Sequence, residues 1–238
     1  MRRLDGLLLA ALAVAIWQGL GWWTQGVAIT PPLPTVAYLA GLVQVSSFWG
    51  HVGATLAAFA MAFAASAILG LALGLVLGVR RFAGEVAEPI LAGFYTIPKV
   101  TLYPVVLLVF GLGVSAKVAF GIMHGLVPIT LFTLGGVRAL RPVLMRTARA
   151  MRLGTWQTMR TVLLPACLPS IVGGLRIGFS LSLLGVLIGE MFSSQRGLGF
   201  LLVNGLAQHN VPLTTAVVLV IVVGAVGANT LMLRLGPR

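Results

Sequence analysis

The chain has 238 residues, 59% of them apolar and 8% charged, with a mean hydropathy of +1.06. Soluble domains carry about 25% charged residues, so this composition excludes a water-soluble globule and points to a membrane protein. Sixteen Lys and Arg against four acids give a net charge of +12; in a membrane chain that excess sets topology, and no nucleic-acid partner is needed to explain it.

A helix needs about 20 mostly apolar residues to cross the hydrocarbon layer, and six stretches qualify. The first covers residues 5–23. Its Arg2-Arg3 start is shared by signal peptides, but the apolar run continues to Trp22-Trp23, an aromatic pair suited to the interface, which favours a retained helix. The second, 52–78, is uninterrupted and ends at Arg80-Arg81. The third, 89–110, is broken by Pro98 and Pro104 and carries Lys99. Each proline removes a backbone donor, so a kinked or restarted helix is expected there. The fourth, fifth and sixth cover 116–137, 170–191 and 212–233. The expected fold class is all-α, a single polytopic transmembrane domain over residues 1–238.

With the N-terminus in the cytoplasm, the inner segments hold Arg2, Arg3, Arg80, Arg81, Arg138, Arg141, Arg146, Arg149, Arg152, Arg160, Arg234 and Arg238, and the outer segments only Lys117 and Arg196. Twelve against two places both termini inside. Small residues recur at the spacing that lets helix backbones approach: Ser66, Gly70, Gly74 and Gly78 on the second span, Gly121 and Gly125 on the fourth, Gly174, Gly178, Gly185 and Gly189 on the fifth. Packing within one bundle accounts for most of them, and a subunit contact remains open for one stripe.

No catalytic constellation is present. The acids are Asp5, Glu85, Glu88 and Glu190; Glu85 and Glu88 beside Arg80 and Arg81 read as a solvated ion-paired loop. One cysteine, Cys167, rules out an internal disulfide, and His51, His124 and His209 are too scattered for a metal site. No GxxxxGK[ST] phosphate loop occurs, so ATP binding by that device falls to another chain. Charges within the hydrocarbon cost about 2.5–3.5 kcal/mol each on insertion scales, so Lys99 and Glu190 need a reason. Each either reaches an interface or faces a watery route, meeting substrate or the other there. Arg176 is about 21 Å along the helix from Glu190 and snorkels instead.

The inner loop, about residues 139–169, has a helical pattern. Leu144, Ala148 and Met151 fall on one side, while Arg146, Arg149 and Arg152 fan over another. Gly154 permits a break, Thr155 caps a new turn and Pro165 ends the segment. Two readings fit: an interfacial helix on anionic lipid, or a knob that docks on a cytoplasmic partner.

The stretch RTARAMRLGTWQTMRTVLLPACLPSIVGGLRIGF at 146–179 resembles the cytoplasmic EAA loop and following helix of permease subunits of binding-protein-dependent ABC importers. It is most similar to the sulfonate, taurine and nitrate branch, which includes permeases for thiamine-precursor pyrimidines. IPKVTLYPVVLLVFGLGVSAK at 97–117 and EMFSSQRGLGFLLVNG at 190–205 resemble two further blocks of that branch, in the same order. The chain departs from the pattern in two places: Arg146 occupies the family's acidic position and Arg152 its glycine position, while Ala148 is kept.

The resemblance implies a type I importer permease in the bacterial inner membrane: not itself an ATPase, without cofactor, metal or catalytic residue of its own, and moving a small organic anion or related nutrient by alternating access. It further implies a permease homodimer in the bilayer, a cytoplasmic ATPase dimer that carries ATP and Mg, and an extracytoplasmic substrate-binding protein. Arg146, Ala148, Arg149, Met151, Arg152, Gly154 and Trp156 are the expected ATPase-docking residues. Lys99, Tyr103, Glu190, Gly197 and Gly199 are the expected pathway or gate residues. An autonomous secondary transporter or channel, or an assembly subunit without its own pathway, are the alternatives.

Overall fold

The computed structural model describes residues 3–235; Arg2 and Arg238 of the arginine count lie outside them, and of Arg3 and Arg234 only the backbone is described. The described residues form α1 (Arg3–Trp23), α2 (Pro32–Leu42), α3 (Ser46–Val79), α4 (Arg81–Thr96), a 3-10 turn (Lys99–Leu102), α5 (Tyr103–Phe110), α6 (Val114–Arg138), α7 (Pro142–Ala150), α8 (Thr155–Thr158), a π turn (Met159–Leu163), α9 (Leu164–Ser193), α10 (Leu198–Ala207) and α11 (Val211–Leu235). Five of the six expected spans each fall on one helix, and the third falls on two. Among the described residues, four helical stretches are long and apolar enough to cross a membrane by themselves: α3, α6, the run Thr155–Ser193 and α11. The third expected span is a broken pair, α4 and the segment Lys99–Phe110, bent by 87°. The first is a shorter apolar helix over Leu8–Trp23.

Pro98 explains the bend. The residue before a proline is pushed out of the helical region, and Ile97 is extended at φ −64°, ψ 131°. Pro104 does not break anything; it sits in the first turn of α5, where its missing N–H costs nothing.

Helix α6 is the centre of the bundle, 56% buried across its apolar window against 22–33% for the other long spans. A membrane offers no hydrophobic drive between helices, so close backbone approach must hold them. The glycine stripes supply it within this one chain. A Cβ on Gly70, Gly74 or Gly78 of α3 would strike Ile129, Thr133 or Val137 of α6. These contacts advance four residues at a time on both helices, so α3 and α6 run parallel. On the other side α9 runs antiparallel: Gly189 abuts Lys117, Gly185 abuts Gly121, and Gly174 abuts Phe132.

This arrangement gathers the arginines. Arg138 at the end of α6 donates to Glu88 of α4 at 2.5 Å and to the Arg81 carbonyl at 3.1 Å, while Arg81 pairs with Glu85 at 3.0 Å. Glu85 and Glu88 are therefore ion-paired as expected, but on a helix rather than in a loop. Val137, Leu163, Cys167 and Ile171 form a core beside them. Large apolar side chains such as Leu8, Trp22, Ile68, Leu108 and Val222 face outward, the inverse of a soluble fold and suited to lipid.

Candidate functional site

Two polar assemblies stand at opposite ends of the bundle. The first surrounds Glu190, near the end of α9. Its side chain is 0% exposed, so it does not reach an interface. Its carboxylate accepts from the Thr55 hydroxyl at 2.7 Å, the Gly199 N–H at 3.1 Å and Lys117 Nζ at 3.4 Å. Lys117, placed among the outer-segment charges from sequence, is instead 3% exposed in this ion pair. Its ammonium also donates to Ser194 Oγ and the Arg196 carbonyl, both at 3.3 Å.

The geometry follows from the start of α10. A helix leaves its first N–H groups without internal partners, and here three successive ones find partners on other helices. Gly197 N–H donates to His51 Nδ1 at 3.1 Å, Leu198 N–H to Thr55 Oγ1 at 2.8 Å, and Gly199 N–H to Glu190. A negative charge at a helix N-terminus is further favoured by the helix dipole. His51 also stacks on Phe200, with ring centroids 5.7 Å apart. Gly197 adopts φ +128°, and a Cβ there would overlap the Glu190 carboxylate; one on Gly199 would lie 2.8 Å from Glu190 Cβ. The carboxylate thus ties α3, α6, α9 and α10 into one joint.

Of the five residues expected on the pathway, the structure brings Glu190, Gly197 and Gly199 together in this joint. Tyr103 lies next to it, donating to the Gly189 carbonyl at 2.8 Å and sharing a short hydrogen bond with Ser193. Lys99 is not part of it and does not meet Glu190. It is 8% exposed at the α4–α5 bend, donates to the Tyr95 carbonyl at 3.1 Å, and lies 4.8 Å from the centre of the Tyr95 ring. The carbonyl is one that the end of α4 leaves open. Sequence reasoning missed Lys117, Thr55 and His51. A signal for Lys117 existed: Glu190 needed a cation, and Lys117 starts the span antiparallel to the one Glu190 ends. Beside the joint lies an open depression of about 630 Å³, walled by Phe192, Ser193, Gln195, Phe200 and Asn204 among others.

The second assembly is the knob at the arginine-rich end. Helix α7 buries Ala148 and exposes Arg146 and Arg149. It closes with paired bonds from Arg152 N–H to the Arg149 carbonyl at 3.0 Å and from Leu153 N–H to the Ala148 carbonyl at 3.1 Å. This is a Schellman motif, whose pivot residue is left-handed and is usually glycine. Arg152 takes that position at φ +50°, which explains why it aligns with a glycine. Met151 lies in the turn after α7, 66% exposed, and Trp156 on α8 is 71% exposed. Two sequence expectations are corrected here. Thr155 is not the cap: the Gly154 N–H donates to Gln157 Oε1 at 3.1 Å. Pro165 does not end the segment, because the π turn ahead of it absorbs the missing donor and the helix runs on from Thr155 to Ser193.

Residues 66–238 match the family described as binding-protein-dependent transport system inner membrane component. The chain belongs to this family. Members are pathway-forming permease subunits of ABC importers, with ATP hydrolysis carried by a separate subunit. The permease is 28% identical over 203 residues to the putative aliphatic sulfonates transport permease protein SsuC of Bacillus subtilis (strain 168), covering 84% of this chain and 74% of that one. It is 31% identical over 199 residues to the riboflavin transport system permease protein RibX of Chloroflexus aurantiacus, covering 80% and 74%. Among solved structures, a chain of the MetNI methionine ABC transporter in inward-facing conformations matches with a TM-score of 0.62 at 21% identity, over 80% of this chain and 97% of that one; that likeness is one of fold. Family membership implies an ATPase and a substrate-binding protein as partners of this multi-pass permease. Among the described residues, no three His, Cys, Asp or Glu side chains gather where they would hold a metal ion.

Proposed function

We propose that this permease works as a homodimer in a bacterial inner membrane, with both termini and the arginine-rich knob in the cytoplasm, importing a small organic anion or related nutrient. Two ATPase subunits carrying ATP and Mg dock on Arg146, Ala148, Arg149, Met151, Arg152, Gly154 and Trp156, and an extracytoplasmic binding protein delivers substrate at the opposite end. The substrate class rests on the names of relatives, which include an aliphatic sulfonate and a riboflavin permease. The observation that carries the mechanism is the continuity of the helix from Thr155 to Ser193. Its first turn follows the knob directly, and its far end holds Glu190. A push on the knob is therefore delivered along one continuous helix to the joint around Glu190, Gly197 and Gly199, which acts as the fixed corner of the outer gate. Lys99, at the bend, belongs to the moving wall of the pathway, and Tyr103 after the bend ties that wall to the corner through the Gly189 carbonyl.

The test is affinity purification of the tagged chain from its native membrane in mild detergent, with partners identified by mass spectrometry and uptake measured in vesicles. Recovery of an ABC ATPase together with ATP-dependent import is expected. Import that persists with no ATPase bound would make the chain an autonomous transporter.

A further inference from the structure

We infer that the surface receiving this permease on its ATPase is acidic, with an apolar recess for Trp156, the reverse of the charge that an acidic loop would require. The inference rests on the docking reading above and names the partner's chemistry. No Asp or Glu occurs between Glu88 and Glu190, so the knob contains no acid of its own. Arg138 is committed to Glu88. Arg141, Arg146, Arg149, Arg152 and Arg160 are all exposed and form no salt bridge with a described residue; Arg149 donates only to a carbonyl of its own helix. Five exposed guanidinium groups thus share residues 141–160 with exposed Val143, Met151 and Trp156.

This is the composition of a protein-binding hot spot: an aromatic anchor with arginines whose forked donors suit carboxylates. A lipid surface is the weaker fit. Helix α7 has nine residues and exposes two large apolar side chains, Val143 and Leu144, too few to make a broad apolar face that sinks into acyl chains. The exposed apolar groups instead stand on either side of the Schellman turn, where they project as a knob. An ATPase shaped for a loop with a carboxylate at position 146 would meet Arg146 with repulsion, so the pairing is also a means of partner choice.

The experiment uses the complete transporter in native membranes, with a photo-crosslinking side chain in place of Val143 and adducts mapped by mass spectrometry. An adduct on the ATPase beside Asp or Glu residues is expected. Changing Arg146, Arg149 and Arg152 together to Glu lowers its yield about tenfold, the effect of three exposed ion pairs of ordinary strength, and changing the adjacent carboxylates to Lys restores it. The same three changed to Lys keep most of the yield; equal loss in the Lys and Glu triples overturns the acidic surface. An ATPase adduct whose yield ignores the Glu triple also overturns it while leaving docking intact. Adducts to lipid alone overturn both.

Discussion

The joint around Glu190 makes a quantitative prediction. Glu190→Gln keeps the side chain's shape and one acceptor for the Gly199 N–H, but it leaves the Lys117 ammonium, 3% exposed, with only Ser194 Oγ and the Arg196 carbonyl. Removing one member of a buried ion pair costs about 3–5 kcal/mol, because the surviving charge stays desolvated. Lys117→Met is expected to cost about 3 kcal/mol, since Glu190 keeps Thr55 and Gly199 as donors. The double variant removes both charges, and a buried pair replaced by uncharged groups of similar volume is often neutral. It should therefore cost less than either single variant, and so fall at least about 3 kcal/mol short of the sum of the two. An internal control is Arg81→Gln, whose ion pair with Glu85 is exposed and is worth about 0.3–0.5 kcal/mol. The assay is reversible SDS unfolding in dodecyl maltoside micelles followed by tryptophan fluorescence. Additive single costs, or single costs no larger than the Arg81 control, would refute the claim that this pair holds four helices together.

Three further outcomes follow from the same geometry. Arg152→Gly relieves a left-handed residue and should stabilise the protein by about 1 kcal/mol while weakening ATPase binding; thermal unfolding and co-purification read the two effects separately, and a loss of stability contradicts the Schellman assignment. Gly197→Ala drives a methyl into the Glu190 carboxylate at φ +128° and should cost about 3 kcal/mol or more, whereas Gly26→Ala, at φ +75° with nothing nearby, should cost about 1 kcal/mol; equal costs in the unfolding assay would remove the tertiary role of Gly197. Lys99→Met should reduce uptake several-fold with unchanged assembly if Lys99 lines the pathway, and normal uptake kinetics would leave it a cap on the end of α4.

The apolar runs, the proline break and the arginine asymmetry were all readable along the chain, because each is a local property: enough apolar length to cross a bilayer, a missing backbone donor, a charge that stays on one side. The glycine stripes were also readable, and they found partners within one chain because four-residue spacing marks a helix face whatever packs on it. The knob's helical pattern was legible too. Its ends were not: Arg152 is left-handed and the π turn carries the helix through Pro165, and both depend on bonds made several residues away.

The composition and pattern of the sequence alone determined that this is an all-helical membrane protein with most of its arginines at one end. Only the tertiary structure decided what the rare charges do. Lys117 and Glu190 are 73 residues apart and Thr55 lies 135 residues from Glu190, so their meeting depends on the depth and rotation of three separate helices. Hydropathy is blind to both, since any face of an apolar helix satisfies the bilayer equally; close packing between glycines selects the one rotation that brings the carboxylate to the start of α10.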